Sequence, residues 1–117
     1  MSPRILLVDD EDTFLSIAAR ALRFEGYEVI EAPDGLEAWT LARWTRFDLV
    51  ITDNRMPHLT GVELIARLRE QDPALRILRL SGSHDRPEEI GVGTLSKPFS
   101  ADQLIAAVRS LLADARQ

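Results

Sequence analysis

Two kinds of segment alternate along this chain. Short β-rich runs fall at Arg4–Val8, Tyr27–Glu31, Leu49–Thr52, Arg76–Leu80 and, more weakly, Val92–Leu95. Between them the apolar positions take a helical period. Phe14, Ala18, Ala21 and Leu22 give a first helix its stripe, and Gly26 is a fitting C-terminal stop. A second helix runs from Gly35 to Trp44, begun near Asp34. Leu64, Ile65 and Leu68 share one face of a helix that starts near Gly61. Leu104, Ala107, Val108, Leu111 and Leu112 repeat the pattern after Ser100, with Gln103 placed to complete a capping box.

Strands alternating with helices predict parallel pairing through right-handed crossovers, hence an open α/β sheet covered by helices on both faces. The unbroken apolar run Leu49-Val50-Ile51 fits a strand buried on both sides. Sites in such sheets form beyond the carboxyl ends of the strands. Asp9 and Asp10 after the first strand, Asp53 after the third, Ser81 after the fourth and Lys97 after the fifth are therefore expected at one edge.

Composition narrows the chemistry. The 117 residues suit a single domain over 1–117, and 45% apolar with 28% charged residues is ordinary for a soluble globular protein. The absence of cysteine excludes disulfides, thiolate metal sites and cysteine nucleophiles, and two histidines, His58 and His84, do not make a multi-histidine centre. A net charge of −5 without a basic tract argues against nucleic-acid binding. The apolar run ending at Val8 is too short for a signal core or a membrane span, so a cytoplasmic location is expected.

Three carboxylates crowded at a sheet edge repel one another, and a divalent cation relieves that repulsion. An all-oxygen donor set with room for water suits Mg²⁺. An acidic first helical turn is the plainer reading of Asp9-Asp10-Glu11-Asp12, and it fits Glu11 and Asp12 well. Lys97 brings a compact positive charge able to meet a carboxylate or a phosphoryl oxygen, and Pro98 after it admits a cis bond. Ser81 adds a hydroxyl, with Gly82 leaving space beside it. Taken singly, a strand-end lysine and a loop serine are unremarkable residues; their coincidence with the acids at one edge gives them weight.

At these residues the chain resembles the receiver domain of two-component response regulators, over essentially its whole length. The resemblance is carried by Ile5-Leu6-Leu7-Val8-Asp9-Asp10-Glu11, Gly26-Tyr27-Glu28-Val29, Asp34-Gly35-Leu36-Glu37-Ala38, Asp48-Leu49-Val50-Ile51-Thr52-Asp53, Met56-Pro57, Gly61, Ile77-Leu78-Arg79-Leu80-Ser81-Gly82 and Leu95-Ser96-Lys97-Pro98-Phe99. It implies a flavodoxin-like five-stranded sheet of order 2-1-3-4-5. It implies a signalling switch rather than an enzyme, with Asp53 as phosphoacceptor. Asp9, Asp10, Asp53 and the backbone carbonyl of Arg55 would hold Mg²⁺, with Mn²⁺ as a substitute. Lys97 would pair with the acceptor and Ser81 with a phosphoryl oxygen. The implied donor is a phosphohistidine on a histidine kinase or phosphotransfer protein; a downstream partner protein reads the result, and the domain is a monomer or weak dimer. His58 and His84 match no donor motif and read as loop residues.

Three features depart from the family pattern. Lys97 follows Ser81 by only 16 residues, which predicts a short or missing fourth family helix within Ser83–Gly93. Thr94 stands where an aromatic switch residue is common, and Arg55 lies two after the acceptor. These departures predict that phosphorylation remodels the Ser81–Gly93 loop rather than swinging an aromatic ring. Two other functions compete. One is a pseudo-receiver that binds a partner without phosphorylation, against which the complete acidic set with Lys97 and Ser81 argues. The other is a small haloacid-dehalogenase-type phosphohydrolase, whose Asp-x-Asp motif is here Asp9-Asp10-Glu11 and whose downstream acidic pair is missing. The start at Met1 and the end just after the last helix fit a freestanding regulator and equally a domain of a longer chain.

Overall fold

The computed structural model describes residues 2–53, 59–81 and 91–114. Its elements run β1 (Arg4–Val8), α1 (Asp12–Phe24), β2 (Glu28–Ala32), α2 (Gly35–Trp44), β3 (Leu49–Asp53), α3 (Gly61–Gln71), β4 (Arg76–Ser81), β5 (Val92–Ser96) and α4 (Ala101–Asp114). The five strands form one parallel sheet of order β2-β1-β3-β4-β5. This is the expected open, doubly wound architecture. β2 begins one residue later than the pattern indicated, and the weak Val92 run is a full strand. The expectation of a short or missing helix before β5 falls on 82–90, outside the described residues.

Alternation along the strands divides the core into two layers. Ile5, Leu7, Leu49, Ile51, Leu78 and Leu80 face α1 and α4, while Leu6, Val8, Val50 and Ile77 face α2 and α3. Burying each such side chain contributes roughly 1.5–3 kcal/mol relative to leaving it in water. The α1 stripe is Leu15, Ala18, Ala19 and Leu22, a correction to the expected one. Ala21 and Phe14 lie on its margins, and Phe14 turns instead toward the carboxyl edge, where its ring meets Phe99 edge-on at 5.8 Å. Trp39 is partly buried against the α2/α3 layer beneath Arg67, and Trp44 is 82% exposed.

Helix ends are held as the sequence requires. After α1 the Gly26 N–H donates to the Arg23 carbonyl and the Tyr27 N–H to that of Leu22, closing a Schellman turn on Gly26 at φ 97°. Asp34 accepts from the Glu37 N–H and starts α2. Ser100 and Gln103 cap α4 reciprocally, as expected (2.8 and 3.1 Å), and Thr60 and Glu63 do the same for α3. Gly35 packs so closely on Leu59 that a Cβ there would strike its carbonyl. That contact seats the start of α2 against the chain entering α3, on the edge where β1 and β3 end.

Candidate metal and phosphoryl site

β1 and β3 are hydrogen-bonded neighbours in register Val8↔Thr52, so the residues that follow, Asp9 and Asp53, leave the sheet side by side. Asp10 joins them: one carboxylate oxygen from each of Asp9, Asp10 and Asp53 comes within 4.8 Å of the others. The three differ in environment. Asp9 is buried, Asp53 half-buried and Asp10 exposed. Asp9 Oδ1 accepts from the Glu11 N–H at 2.9 Å, which fixes its rotamer across the start of α1. Its Oδ2 is buried with no hydrogen-bond partner.

Lys97 reaches this edge from the far side of the sheet, one residue past β5 and ahead of a cis Lys97-Pro98 bond. Its Nζ donates to Asp53 Oδ2 at 3.1 Å and lies 3.6 Å from Asp9 Oδ2, an ion pair too long to be a hydrogen bond. The ammonium also sits 5.3 Å from the centroid of the Phe14 ring. Phe14 and Phe99 therefore form an apolar flank for the lysine, a role that the helical period alone hid. The usable signal was positional: Phe99 follows Lys97-Pro98, and Phe14 lies one turn past the acids.

Burial pushes the Asp9 carboxyl above its usual range. The Glu11 N–H and Lys97 oppose that rise without cancelling it, and the charges of Asp53 and Asp10 add to it. Mutual repulsion is thus real but secondary to desolvation. For Lys97, burial works against the charged form, but the hydrogen bond to Asp53 and the charges of Asp9 and Asp53 outweigh it and raise the ammonium above its ordinary value. Lys97 is held as a cation between two carboxylates.

The donor set fits a hard divalent cation. It is all oxygen, it converges, and it contains a buried oxygen that no protein hydrogen bond satisfies. Ser81, the last residue of β4, ends at the same edge in register with Ser96. Arg55, His58 and His84 lie outside the described residues.

Known proteins share this sequence pattern and this fold. The model of the response regulator receiver domain matches residues 5–109. The transcriptional regulatory protein PrrA of Mycobacterium leprae is 39% identical over 117 residues, covering 95% of this chain and 50% of that protein. The alkaline phosphatase synthesis transcriptional regulatory protein PhoP of Bacillus subtilis is 34% identical, covering 96% of this chain and 49% of that one. This chain thus spans about half the length of the curated relatives it matches. Among solved structures, the chemotaxis protein CheY4 of Vibrio cholerae superposes with a TM-score of 0.86 at 32% identity, covering 95% of this chain and 99% of that one. With an acidic cluster and a lysine joined at the carboxyl edge of a 2-1-3-4-5 sheet, and a family match spanning most of its length, the chain belongs to the response regulator receiver domains of two-component systems.

Proposed function

We propose that this domain is a Mg²⁺-dependent phosphorylation switch in which Asp53 accepts a phosphoryl group from a histidine kinase or phosphotransfer protein. The observation that carries the reading is the Asp53 carboxylate itself. It is half-buried, gripped at 3.1 Å by Lys97 and flanked by two further acids. Phosphoryl transfer demands positioning and charge neutralisation more than covalent chemistry from the protein. Asp9, Asp10, Asp53 and the Arg55 carbonyl would hold the ion, with Mn²⁺ able to replace it. A bound Mg²⁺ would neutralise the carboxylates and the charge on the transferring group. Lys97 orients the attacking oxygen and then meets the new phosphoryl oxygens, while Ser81 supplies a hydroxyl to one of them.

On this reading the domain assists its own phosphorylation and dephosphorylation but turns over no separate substrate. It acts as one domain over 1–117, in the cytoplasm, as a monomer or weak dimer. Its downstream reader is a protein rather than nucleic acid, in keeping with the net charge of −5. Among the described residues no helix is long and apolar enough to cross a membrane. Phosphorylation would remodel the Ser81–Gly93 connection.

Incubation with Mg²⁺ and acetyl phosphate should add one phosphoryl mass. Chelator or Asp53→Asn should abolish the gain. An unchanged mass with acetyl phosphate, together with no binding of beryllofluoride, would leave the pseudo-receiver reading instead.

A further inference from the structure

α1 and α4 pack on the same face of the sheet and run parallel to each other. Phe14 meets Phe99 at their beginnings, and Glu25 accepts from Arg109 at 2.8 Å towards their ends. Outside the core this helix pair carries an apolar strip that the fold does not use. Phe24 is 89% exposed and Ile17 63%. They lie two turns apart on α1 and point the same way, whereas the core takes Leu15, Ala18, Ala19 and Leu22 from that helix. Ile17, Ala21 and Phe24 with Ile105 of α4 form the apolar lining of a shallow groove, and Ser16 and Arg20 complete it. Single exposed apolar side chains are ordinary, but a contiguous strip marks a contact surface.

Opposite charges flank the strip, one on each helix. Arg20 of α1 and Asp102 of α4 are both exposed, and neither enters an ion pair among the described residues. The Glu25–Arg109 pair sets the relative height of the two helices. From it, Arg20 lies about 7.5 Å back along α1 and Asp102 about 10.5 Å back along α4, so the two charges stand within about 3 Å of one level. A two-fold axis running along the groove exchanges α1 with α4. It lays the α1 of one copy on the α4 of another, brings each Arg20 to the partner's Asp102, and covers both Phe24 rings. We propose that this face pairs with a second copy of the chain, in an isologous dimer through α1 and α4. The charges choose the occupant, since a patch that carries its own complement under a two-fold operation is matched by itself. The strip has far fewer than the roughly 20–30 residues a side of a standard interface, so the dimer is weak and transient. The face lies away from the acidic edge, and the inference does not rest on Asp53 being the acceptor.

Sedimentation equilibrium of the whole chain, without Mg²⁺ or phosphodonor, tests it over protein concentrations from about 10 μM to about 1 mM, the range of weak association. The average mass of the parent should climb from monomer towards dimer across that range. Phe24→Ala removes an anchor from both sides of the interface and should weaken association at least about tenfold. Arg20→Glu turns two attractions into two repulsions and should weaken it by about tenfold as well. Adding Asp102→Arg to Arg20→Glu restores the complement and should return the affinity to within about threefold of the parent. All three positions are exposed, and thermal unfolding should confirm parent-like stability in each variant. A parent that stays monomeric to about 1 mM would overturn the proposal and leave the face to a different protein. A dimer that survives both Phe24→Ala and Arg20→Glu would overturn it too, since association would then use another surface. So would failure of the double charge exchange to recover what Arg20→Glu loses.

Discussion

Asp9 and Arg79 are both charged and both buried, at 1% and 8% exposure, yet the fold treats them in opposite ways. Asp9 sits just past the end of β1, where a backbone N–H, a lysine and two more carboxylates converge on it. Arg79 sits within β4, between two leucines, with nothing of opposite sign to meet it among the described residues. Strand ends are places where side chains can be polar and still find partners, while strand interiors offer only neighbours of the same layer. The carboxyl edge is thus assembled to hold charge, and the interior position tolerates it. For Asp9, whose buried Oδ2 has no hydrogen-bond partner, the missing partner is a cation.

The largest test of this contrast is at the acceptor. Asp53→Asn should remove phosphoryl incorporation completely while leaving the fold intact, read by intact mass and by circular dichroism. Lys97→Met comes next. It deletes a cation that Asp9 and Asp53 share, and phosphorylation by acetyl phosphate should slow by roughly 10²-fold, the usual effect of losing one charge-stabilising donor. If Lys97→Met reacts at the parent rate, the edge does not work through charge.

Asp9→Asn should act with the opposite sign on stability. The Asp9 carboxyl is raised above its ordinary 3.8, so between that value and the raised one the native state binds the extra proton. Stability from this group therefore falls as pH rises through the window. In chelator, Asp9→Asn should flatten that slope and make the protein more stable near neutral pH. Added Mg²⁺ should raise the parent's melting temperature and leave the variant's unchanged. A variant less stable than its parent in chelator would contradict the account of Asp9.

Glu63 provides the exposed control, and the smallest effect. The backbone and hydroxyl of Thr60 hold its carboxyl below the ordinary value of 4.5. Its contribution is present above that value and lost as pH falls through the lowered one, opposite in sign to Asp9. Thr60→Ala should cost the usual value of a lost helix cap, about 1 kcal/mol, and denaturant unfolding should show the difference shrinking in acid. A difference that grows in acid would mean that the capping box is not what holds Glu63.

The contrast also explains what could be read from the chain. Asp9, Asp10, Asp53 and Lys97 were legible because each follows an apolar run, and a parallel sheet brings such positions to one edge. The helix caps at Asp34, Ser100 and Gly26 were legible because their chemistry is local. Arg79 was absorbed into the run Arg76–Leu80, since the pattern of β4 is set by its leucines and isoleucine. Its burial depends on neighbouring strands that no local pattern names. The α1 stripe was misread for a similar reason: Phe14 satisfies the period, but its ring is drawn to Phe99 and Lys97, and Leu15 and Ala19 fill the core instead.

The central claim is that, of three adjacent carboxylates, Asp53 takes the phosphoryl group and Asp9 and Asp10 serve the cation. Borohydride reduction after treatment with Mg²⁺ and acetyl phosphate converts an aspartyl phosphate to homoserine, which peptide mass spectrometry locates. The account predicts homoserine at Asp53 and at neither Asp9 nor Asp10. Homoserine at Asp9 or Asp10 would contradict it.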